Sequence, residues 1–195
     1  MELTPHLLLN AYCQGAFPMA DDDGDGTIYW YDPDPRAILP LDNFHVPRRL
    51  ARTVRQGIYE IRFDTAFEQV MRLCAEPLPG RDSTWISADI VAVYTELHEA
   101  GFAHSVETWQ DGHLVGGLYG VSVCGLFAGE SMFSRKRDAS KVALVHLVER
   151  LKQKGFTLLD TQFTTPHLHQ FGVVEISRVE YKLRLHEALK VSAQF

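Results

Sequence analysis

The order of elements between residues 103 and 163 constrains the fold more than any other feature of the chain. Asp111-Gly112 and glycine-rich turns separate three strand-like segments, which predicts antiparallel neighbours: residues 103–108, 114–123 and 125–128. A helix with an apolar stripe follows them: Leu144, Leu147, Val148 and Leu151. Residues 157–163 then form another strand-like run. This order predicts an α+β layered domain rather than a doubly wound sheet.

The segments on the N-terminal side of this block predict three further helices and a strand. Thr4-Pro5 begins the first helix, which Gly15 and Pro18 end. Pro47 begins a short basic helix that closes at Gly57, before an alternating strand at residues 59–63. Ser87 caps a helix with the apolar spacing i, i+3, i+4, i+7. We expect residues 1–36 to form a small N-terminal lobe and residues 37–195 to form the main domain.

Composition excludes several classes of protein. The 195 residues are 46% hydrophobic and 23% charged, which suits one globular domain with a small appendage and excludes disorder. The net charge of −6 argues against a protein that coats nucleic acid through bulk positive charge. Residues 1–45 hold eight carboxylates and only one basic residue, Arg36. Because no basic-then-apolar leader opens the chain, a cytoplasmic protein is expected.

Metal and disulfide chemistry are not indicated. The three cysteines, Cys13, Cys74 and Cys124, form no C-x-x-C pair, so we expect reduced thiols. The acidic run from Asp21 to Asp25 has the spacing of a calcium loop, but prolines follow it where an EF-hand needs a helix. We therefore predict no metal site.

Asp160 and Gln162 are the most informative polar residues. They lie two residues apart in Leu-Leu-Asp-Thr-Gln-Phe and therefore share one face of an otherwise apolar strand. A buried carboxylate needs partners, so Asp160 is either a structural anchor or a functional group in a pocket. Glu130, which follows a glycine at the end of another predicted strand, is placed to converge on the same cavity.

Two basic clusters complement these acidic residues. The first, on the helix after Pro47, contains Arg48, Arg49, Arg52 and Arg55, and the second, at residues 130–154, includes Lys136 and Lys141. Such runs are often solvated helix faces, and that interpretation stays open. Together with an acidic pocket, they suggest a ligand that carries phosphates and a reactive end.

Six ordered motifs resemble those of one family. They are W-Y-D-P-D-P-R at 30–36, T-W-I at 84–86, H-S-V-E at 104–107, L-V-G-G-L-Y-G at 114–120, G-E-S-M-F-S-R with A-S-K at 129–141, and D-x-Q at 160–162 with His167 and Gly172. This series is similar to that of the bacterial leucyl/phenylalanyl-tRNA–protein transferases, over about residues 7 to 185. A match of six ordered motifs makes coincidence very unlikely.

The resemblance implies an enzyme without a cofactor. Such an enzyme moves leucine, phenylalanine or methionine from aminoacyl-tRNA to the N-terminal Arg or Lys of a protein, which creates an N-degron for an adaptor and protease system. It also implies an acyl-CoA N-acetyltransferase-like (GNAT-like) domain behind the small lobe. An acyl-CoA-dependent N-terminal acetyltransferase is the alternative, but residues 134–140 contain no glycine for a pyrophosphate loop. A tRNA- or degron-binding module without catalysis is the third possibility.

The resemblance also implies roles for individual residues. Asp160, Gln162 and Glu130 form the catalytic group, in which Asp160 orients Gln162 and strengthens its amide oxygen as an acceptor. The expected aminoacyl pocket comprises Leu118, Phe127, Met132, Leu144, Leu147 and Leu159. Trp30, Tyr31 and Trp85 offer flat faces for the terminal adenosine. Arg48, Arg49, Arg52, Lys136 and Lys141 are placed to meet tRNA phosphates.

Overall fold

The structure is a computed structural model that describes residues 3–20, 27–77 and 84–195. The acidic run from Asp21 to Asp25 lies outside these residues. The helices are α1 (Pro5–Cys13), α2 (Arg48–Gln56), α3 (Phe67–Ala75), α4 (Ala88–Glu99), α5 (Ala139–Gln153), α6 (Pro166–His169) and α7 (Arg178–Ala188). The strands are β1 (Phe17–Ala20), β2 (Ile28–Tyr31), β3 (Arg36–Ile38), β4 (Glu60–Phe63), β5 (Ala103–Gln110), β6 (His113–Val123), β7 (Leu126–Ser134), β8 (Leu158–Gln162) and β9 (Val174–Ile176).

The described strands form two sheets. β1 and β2 make an antiparallel hairpin, and the other seven form a mixed sheet in the order β4-β5-β6-β7-β8-β3-β9. All neighbours in this sheet are antiparallel except β7 and β8, which α5 connects as parallel strands. The predicted α+β class is therefore confirmed, and β5, β6 and β7 are the predicted antiparallel neighbours.

Local sequence signals explain the helix ends. The Thr4 side chain accepts a hydrogen bond from the amide of Leu7 at the start of α1, and Ser87 does the same for Ile90 in α4. Gly57 ends α2 at a φ of 61°, a left-handed conformation that costs glycine little. The predicted starts of α1 and α4 and the predicted end of α2 are therefore confirmed.

The end predicted for the third strand was wrong. It was expected at residue 128, whereas β7 continues to Ser134. Tyr119 pairs with Ser131 and Gly120 pairs with Gly129, so Glu130 is an extra residue on β7, a β-bulge. The bulge breaks the alternation of side chains, and alternation was the only signal available for extending the strand.

Helix α3 was not predicted from the sequence, and a distant carboxylate organises its start. The buried side chain of Glu107 on β5 accepts hydrogen bonds from the amides of Thr65 and Ala66, at 2.9 and 2.8 Å. Ser105 and Trp109 also donate to this carboxylate. The H-S-V-E motif therefore anchors α3 to the sheet, which is a long-range contact that local sequence patterns do not reveal.

The helices cover both faces of the large sheet. Residues of α1, α3 and α4 share one hydrophobic cluster, while α2 and α5 pack in a second one. Helix α7 covers β3 and β8 in a third cluster. The expected boundary between residues 36 and 37 falls inside β3, which belongs to the large sheet. None of the described helices is both long and apolar enough to cross a membrane.

Candidate active site

A cavity opens where β7 and β8 stop pairing. Ala128 and Asp160 are the last paired residues of these strands, and β7 continues beyond them to Ser134. The cavity has a volume of about 590 Å³. Residues 129–135 from β7 and the loop after it line much of the cavity, together with Leu159 and residues 161–163 from β8 and the turn after it. Strand β6 and helices α3, α5 and α6 supply most of the remaining lining.

Most of the residues expected in the aminoacyl pocket line this cavity. The apolar lining includes five of the six: Leu118, Met132, Leu144, Leu147 and Leu159. Phe127 is the exception, because its fully buried ring packs edge-on against Phe156 and stacks with Phe195, outside the cavity lining. Phe127 is therefore placed as a core residue. Leu73 of α3 and Leu168 of α6 add two apolar side chains that the sequence did not indicate.

Asp160 lies in a buried ion pair with Arg36. The guanidinium Nε donates to Oδ1 at 2.9 Å, and Nη2 donates to Oδ2 at 2.6 Å. The Tyr181 hydroxyl also donates to Oδ2, at 2.9 Å. Arg36 is 1% exposed and Asp160 is 0% exposed, so each charge depends on the other for its compensation.

Gln162 is held by its main chain. Its main-chain N–H donates to Asp160 Oδ1 at 2.9 Å. Its φ of 58° lies in the left-handed region, which residues other than glycine rarely adopt. The carbonyl of Thr161 accepts from the amide of Phe163 at 2.6 Å, which closes a tight turn around Gln162. Asp160 therefore orients Gln162 through the backbone. The Asp160 carboxylate has no hydrogen bond to the Gln162 side-chain amide. The expected direct effect of Asp160 on the acceptor strength of that amide oxygen is therefore not seen.

Glu130 and Gln162 meet at the cavity. The Gln162 Nε2 group donates to Glu130 Oε1 at 3.2 Å, and the Tyr12 hydroxyl donates to the same oxygen at 2.7 Å. Burial raises the pKa of Glu130 to about 8, against the opposing hydrogen bond from Tyr12. Asp160 raises this pKa further, while Arg36 lowers it. The site thus holds a carboxyl group that exchanges its proton near neutral pH.

The three aromatic residues expected to bind adenosine lie outside the cavity lining. Trp30 and Tyr31 are exposed on β2, and Tyr31 stacks on Phe17 with 6.0 Å between ring centroids. Phe17 also contacts Phe163, which lines the cavity and is 47% exposed. Trp85 is half-buried and packs against the first hydrophobic cluster. The β2 surface is therefore linked to the cavity through Phe17 and Phe163.

The basic residues expected to bind tRNA lie on two neighbouring elements. Arg48, Arg49 and Arg52 are exposed on α2, whose apolar face shares a cluster with α5. Lys136 is exposed in the loop before α5, and Lys141 is half-buried in the first turn of α5. The Lys141 ammonium pairs with Asp138 at 3.1 Å, which neutralises part of its charge.

Within the described ranges, no three His, Cys, Asp or Glu side chains lie close enough together to hold a metal ion.

Sequence reasoning did not identify Arg36, Tyr12 and Tyr181 as partners of the acidic residues. One signal was present for Arg36, because it is the only basic residue among residues 1–45 and closes the W-Y-D-P-D-P-R motif. Tyr12 and Tyr181 occupy apolar positions of their helices, where a core tyrosine and a site tyrosine look alike. Their role required the tertiary structure.

Comparison with solved proteins gives only low similarity in structure. The structure of L-PGS from Bacillus licheniformis has a TM-score of 0.44 at 16% identity, covering 69% of this chain and 49% of that chain. An aminoglycoside N-acetyltransferase has a TM-score of 0.37 at 17% identity, covering 70% and 90%. Similarity at this level does not assign a fold, so the acetyltransferase-like fold stays a prediction.

Comparison of sequences is decisive. The model of the leucyl/phenylalanyl-tRNA protein transferase family matches residues 38–186, and that of its N-terminal domain matches residues 1–34. The leucyl/phenylalanyl-tRNA–protein transferase of Herpetosiphon aurantiacus is 62% identical over 99% of this chain and 98% of its own. The transferase of the same name from Paramagnetospirillum magneticum is 58% identical over 99% and 92%. The chain belongs to the leucyl/phenylalanyl-tRNA–protein transferase family.

Proposed function

We propose that this chain uses the Glu130–Gln162 pair to transfer leucine, phenylalanine or methionine from aminoacyl-tRNA to a protein acceptor. Its family transfers leucine or phenylalanine to the N-terminal Arg or Lys of proteins. The main support from the geometry is the hydrogen-bonded pair itself, which lines the same cavity as five apolar pocket residues. An acyl-CoA-dependent acetyltransferase is not favoured by the family membership.

The reaction is aminolysis of an ester. The acceptor's α-amine forms a bond to the carbonyl carbon of the aminoacyl group, and the bond from that carbon to the ribose oxygen breaks. The amine, whose pKa is about 7.7–8.0, must lose a proton before it attacks, and the departing ribose oxygen must gain one. Because the ester is already activated, the enzyme's tasks are positioning and proton transfer.

Glu130 suits the role of proton acceptor. Its pKa of about 8 is close to that of the amine, so the proton moves with little driving force in either direction. Gln162 is uncharged and serves as an orienting group, whose amide oxygen accepts a hydrogen bond from the attacking amine. Asp160 and Arg36 hold the backbone of Gln162 in place and act as positioning residues.

The donor's two ends have separate sites in this proposal. The amino acid side chain enters the apolar cavity, where Leu118, Met132, Leu144, Leu147 and Leu159 select it by shape and desolvation. The terminal adenosine stacks near Trp30, Tyr31 and Trp85, which Phe17 and Phe163 connect to the cavity. Arg48, Arg49, Arg52, Lys136 and Lys141 contact phosphates of the acceptor stem without reading bases.

The organisation and setting of the chain are also proposed. Residues 1–36 form a small N-terminal lobe, and residues 37–195 form an acetyltransferase-like catalytic domain, a division close to the limits of the two family models. The enzyme works in the cytoplasm, and its product is passed to an N-degron adaptor and a protease.

A direct transfer assay tests this function. The chain is incubated with radiolabelled leucyl-, phenylalanyl- or methionyl-tRNA and with otherwise identical proteins that begin with Arg, Lys, Ala or Glu. We expect label only on the proteins that begin with Arg or Lys. Labelled acetyl-CoA replaces the tRNA in a parallel reaction, and transfer from acetyl-CoA alone would contradict the proposal.

A further inference from the structure

We propose that Tyr12, on helix α1, is a positioning residue that fixes which oxygen of Glu130 faces the substrate. This inference rests on the proposed function of Glu130 as a proton acceptor. It makes the N-terminal helix, which the sequence assigned only to the small N-terminal lobe, a component of the active site.

The hydrogen bonds of Glu130 are asymmetric. Tyr12 and Gln162 both donate to Oε1, at 2.7 and 3.2 Å. Among the described residues, none donates to Oε2. Two donors on one oxygen lock the rotation of the carboxyl group and leave Oε2 as the oxygen available to an ammonium in the cavity.

Tyr12 is held in a single orientation. Its side chain is 1% exposed, and its hydroxyl contacts the hydroxyl of Tyr94, which is 0% exposed. Since Tyr12 has one hydroxyl proton and gives it to Glu130, Tyr94 must donate to Tyr12. The result is a directional chain from Tyr94 through Tyr12 to Glu130. The rings of Tyr94 and Tyr119 pack edge-on with centroids 6.0 Å apart, which supports Tyr94 from behind.

The three buried tyrosines, Tyr12, Tyr94 and Tyr119, are suited to act as hydrogen-bond donors. Burial, followed by the nearby charge of Glu130, raises the pKa of Tyr12, Tyr94 and Tyr119 well above that of a free tyrosine. All three hydroxyls therefore keep their protons throughout the working pH range. A hydrogen bond from a neutral donor favours the charged form of a carboxyl group, so Tyr12 opposes the effect of burial on Glu130.

The other charged groups that affect Glu130 lie on β8 and on the neighbouring strand β3. Asp160 raises the pKa of Glu130, and Arg36 lowers it. The same N-terminal segment contacts this pair too, because the Gly15 carbonyl accepts from Arg36 Nη1 at 2.7 Å. Tyr12 therefore contacts Glu130, and Gly15 contacts the Arg36 partner of Asp160.

The test compares Tyr12→Phe with wild type over pH 6 to 10. We expect the acid limb of the kcat profile to move to higher pH in Tyr12→Phe, because the carboxylate loses a hydrogen bond that favours its charged form. At pH 7, kcat should fall by about 10- to 100-fold, while KM for leucyl-tRNA should change little. Tyr94→Phe should move the acid limb in the same direction by a smaller amount.

Tyr59→Phe is the matched control. Tyr59 is also a buried tyrosine, and its hydroxyl donates at 2.7 Å to the carbonyl of Arg137, away from Glu130. We expect its acid limb to stay at the wild-type pH. An unchanged acid limb in Tyr12→Phe, or a change in KM without a change in kcat, would overturn the inference.

A second readout separates this inference from the proposed function. The carboxyl carbon of Glu130 is followed by ¹³C NMR in wild type, Tyr12→Phe and Tyr94→Phe, with Glu130→Gln used to assign the signal. The titration midpoint should be highest in Tyr12→Phe. If the midpoint moves but transfer from leucyl-tRNA is absent, the result supports the hydrogen-bond role of Tyr12 and contradicts the proposed reaction. If the midpoint does not move, the inference is overturned, whether or not the enzyme is active.

Discussion

The guanidinium of Arg36 donates two hydrogen bonds to the carboxylate of Asp160, at 2.9 and 2.6 Å, where neither side chain is exposed to solvent. Arg36 lies on β3 and Asp160 on the neighbouring β8, so the pair joins two strands that are distant in sequence. Its effect on chemistry is indirect, because the same carboxylate also accepts the main-chain N–H of Gln162. The ion pair therefore fixes the position of the Gln162 main chain.

We expect Asp160→Asn to destabilise the fold as well as to slow the reaction. The change leaves the Arg36 charge buried without its counter-charge, and removing one partner of a buried pair typically costs about 3–5 kcal/mol. Chemical denaturation measures the free energy of unfolding. Arg36→Gln combined with Asp160→Asn should recover part of the loss, because no unpaired buried charge remains. A single mutant of wild-type stability would contradict the prediction.

Gln162→Ala should lower kcat by roughly 10- to 1000-fold, the range for loss of one positioned polar group. The substitution removes both the orienting amide and one donor to Glu130. Thr164→Ala is a nearby control, because its hydroxyl bonds to Glu175 rather than to the pair. Combining Gln162→Ala with Glu130→Gln should cost much less than the sum of the two effects, since coupled groups act as a unit. Additive losses would mean that the two side chains act independently.

Glu130 makes stability depend on pH in an unusual direction. The pKa of a glutamate is 4.5 in its ordinary state and about 8 in the fold, so between these pH values the folded protein keeps a proton that the unfolded chain has lost. The free energy of unfolding therefore falls as pH rises through this window. Glu130→Gln lacks this effect, so its stability relative to wild type should increase from pH 4.5 to pH 8.

Thermal unfolding at several pH values tests this expectation. Glu99→Gln, at the exposed end of α4, serves as the control and should keep the wild-type dependence. A constant difference between Glu130→Gln and wild type across pH would show that the Glu130 pKa is not raised.

Arg48→Ala together with Arg52→Ala should raise KM for aminoacyl-tRNA and make the salt dependence of binding less steep. Each phosphate contact that is lost removes counterion release from the binding equilibrium. Arg72→Ala on α3 is the control, because its side chain is also exposed but belongs to a helix in the other core cluster. A minimal donor without the acceptor stem should not distinguish the variants. An unchanged salt slope would leave Arg48 and Arg52 as solvated surface residues.

Several parts of the fold follow from local patterns alone. Caps at Thr4 and Ser87, a glycine at 57 and a stripe of leucines in α5 each act within a few residues, so the sequence predicts the helices that they define. The meander of β5, β6 and β7 is equally local, because short turns force neighbouring strands to pair. The family could be identified from the sequence for a different reason, because six ordered motifs match along the chain.

The polar pair of Asp160 and Gln162 was recognised from the sequence, but the residues that compensate it were not. Asp160 and Gln162 stood out because a polar pair on an apolar strand is costly without compensation. Which groups compensate them depends on long-range contacts: Arg36 lies 124 residues from Asp160 in the sequence, and Tyr181 lies 21 residues from it. No local pattern encodes such distances.

The reactive geometry was decided by tertiary structure. A bulge places Glu130 as an extra residue on β7, and a left-handed φ ends β8 at Gln162. Both features depart from regular strand geometry, which strand prediction from sequence patterns assumes. The sequence by itself determined which side chains are available and most of the helices and strands. Packing of α1, β3 and α7 around the gap between β7 and β8 decided which of those side chains meet, because burial of charge leaves only mutually compensating arrangements stable.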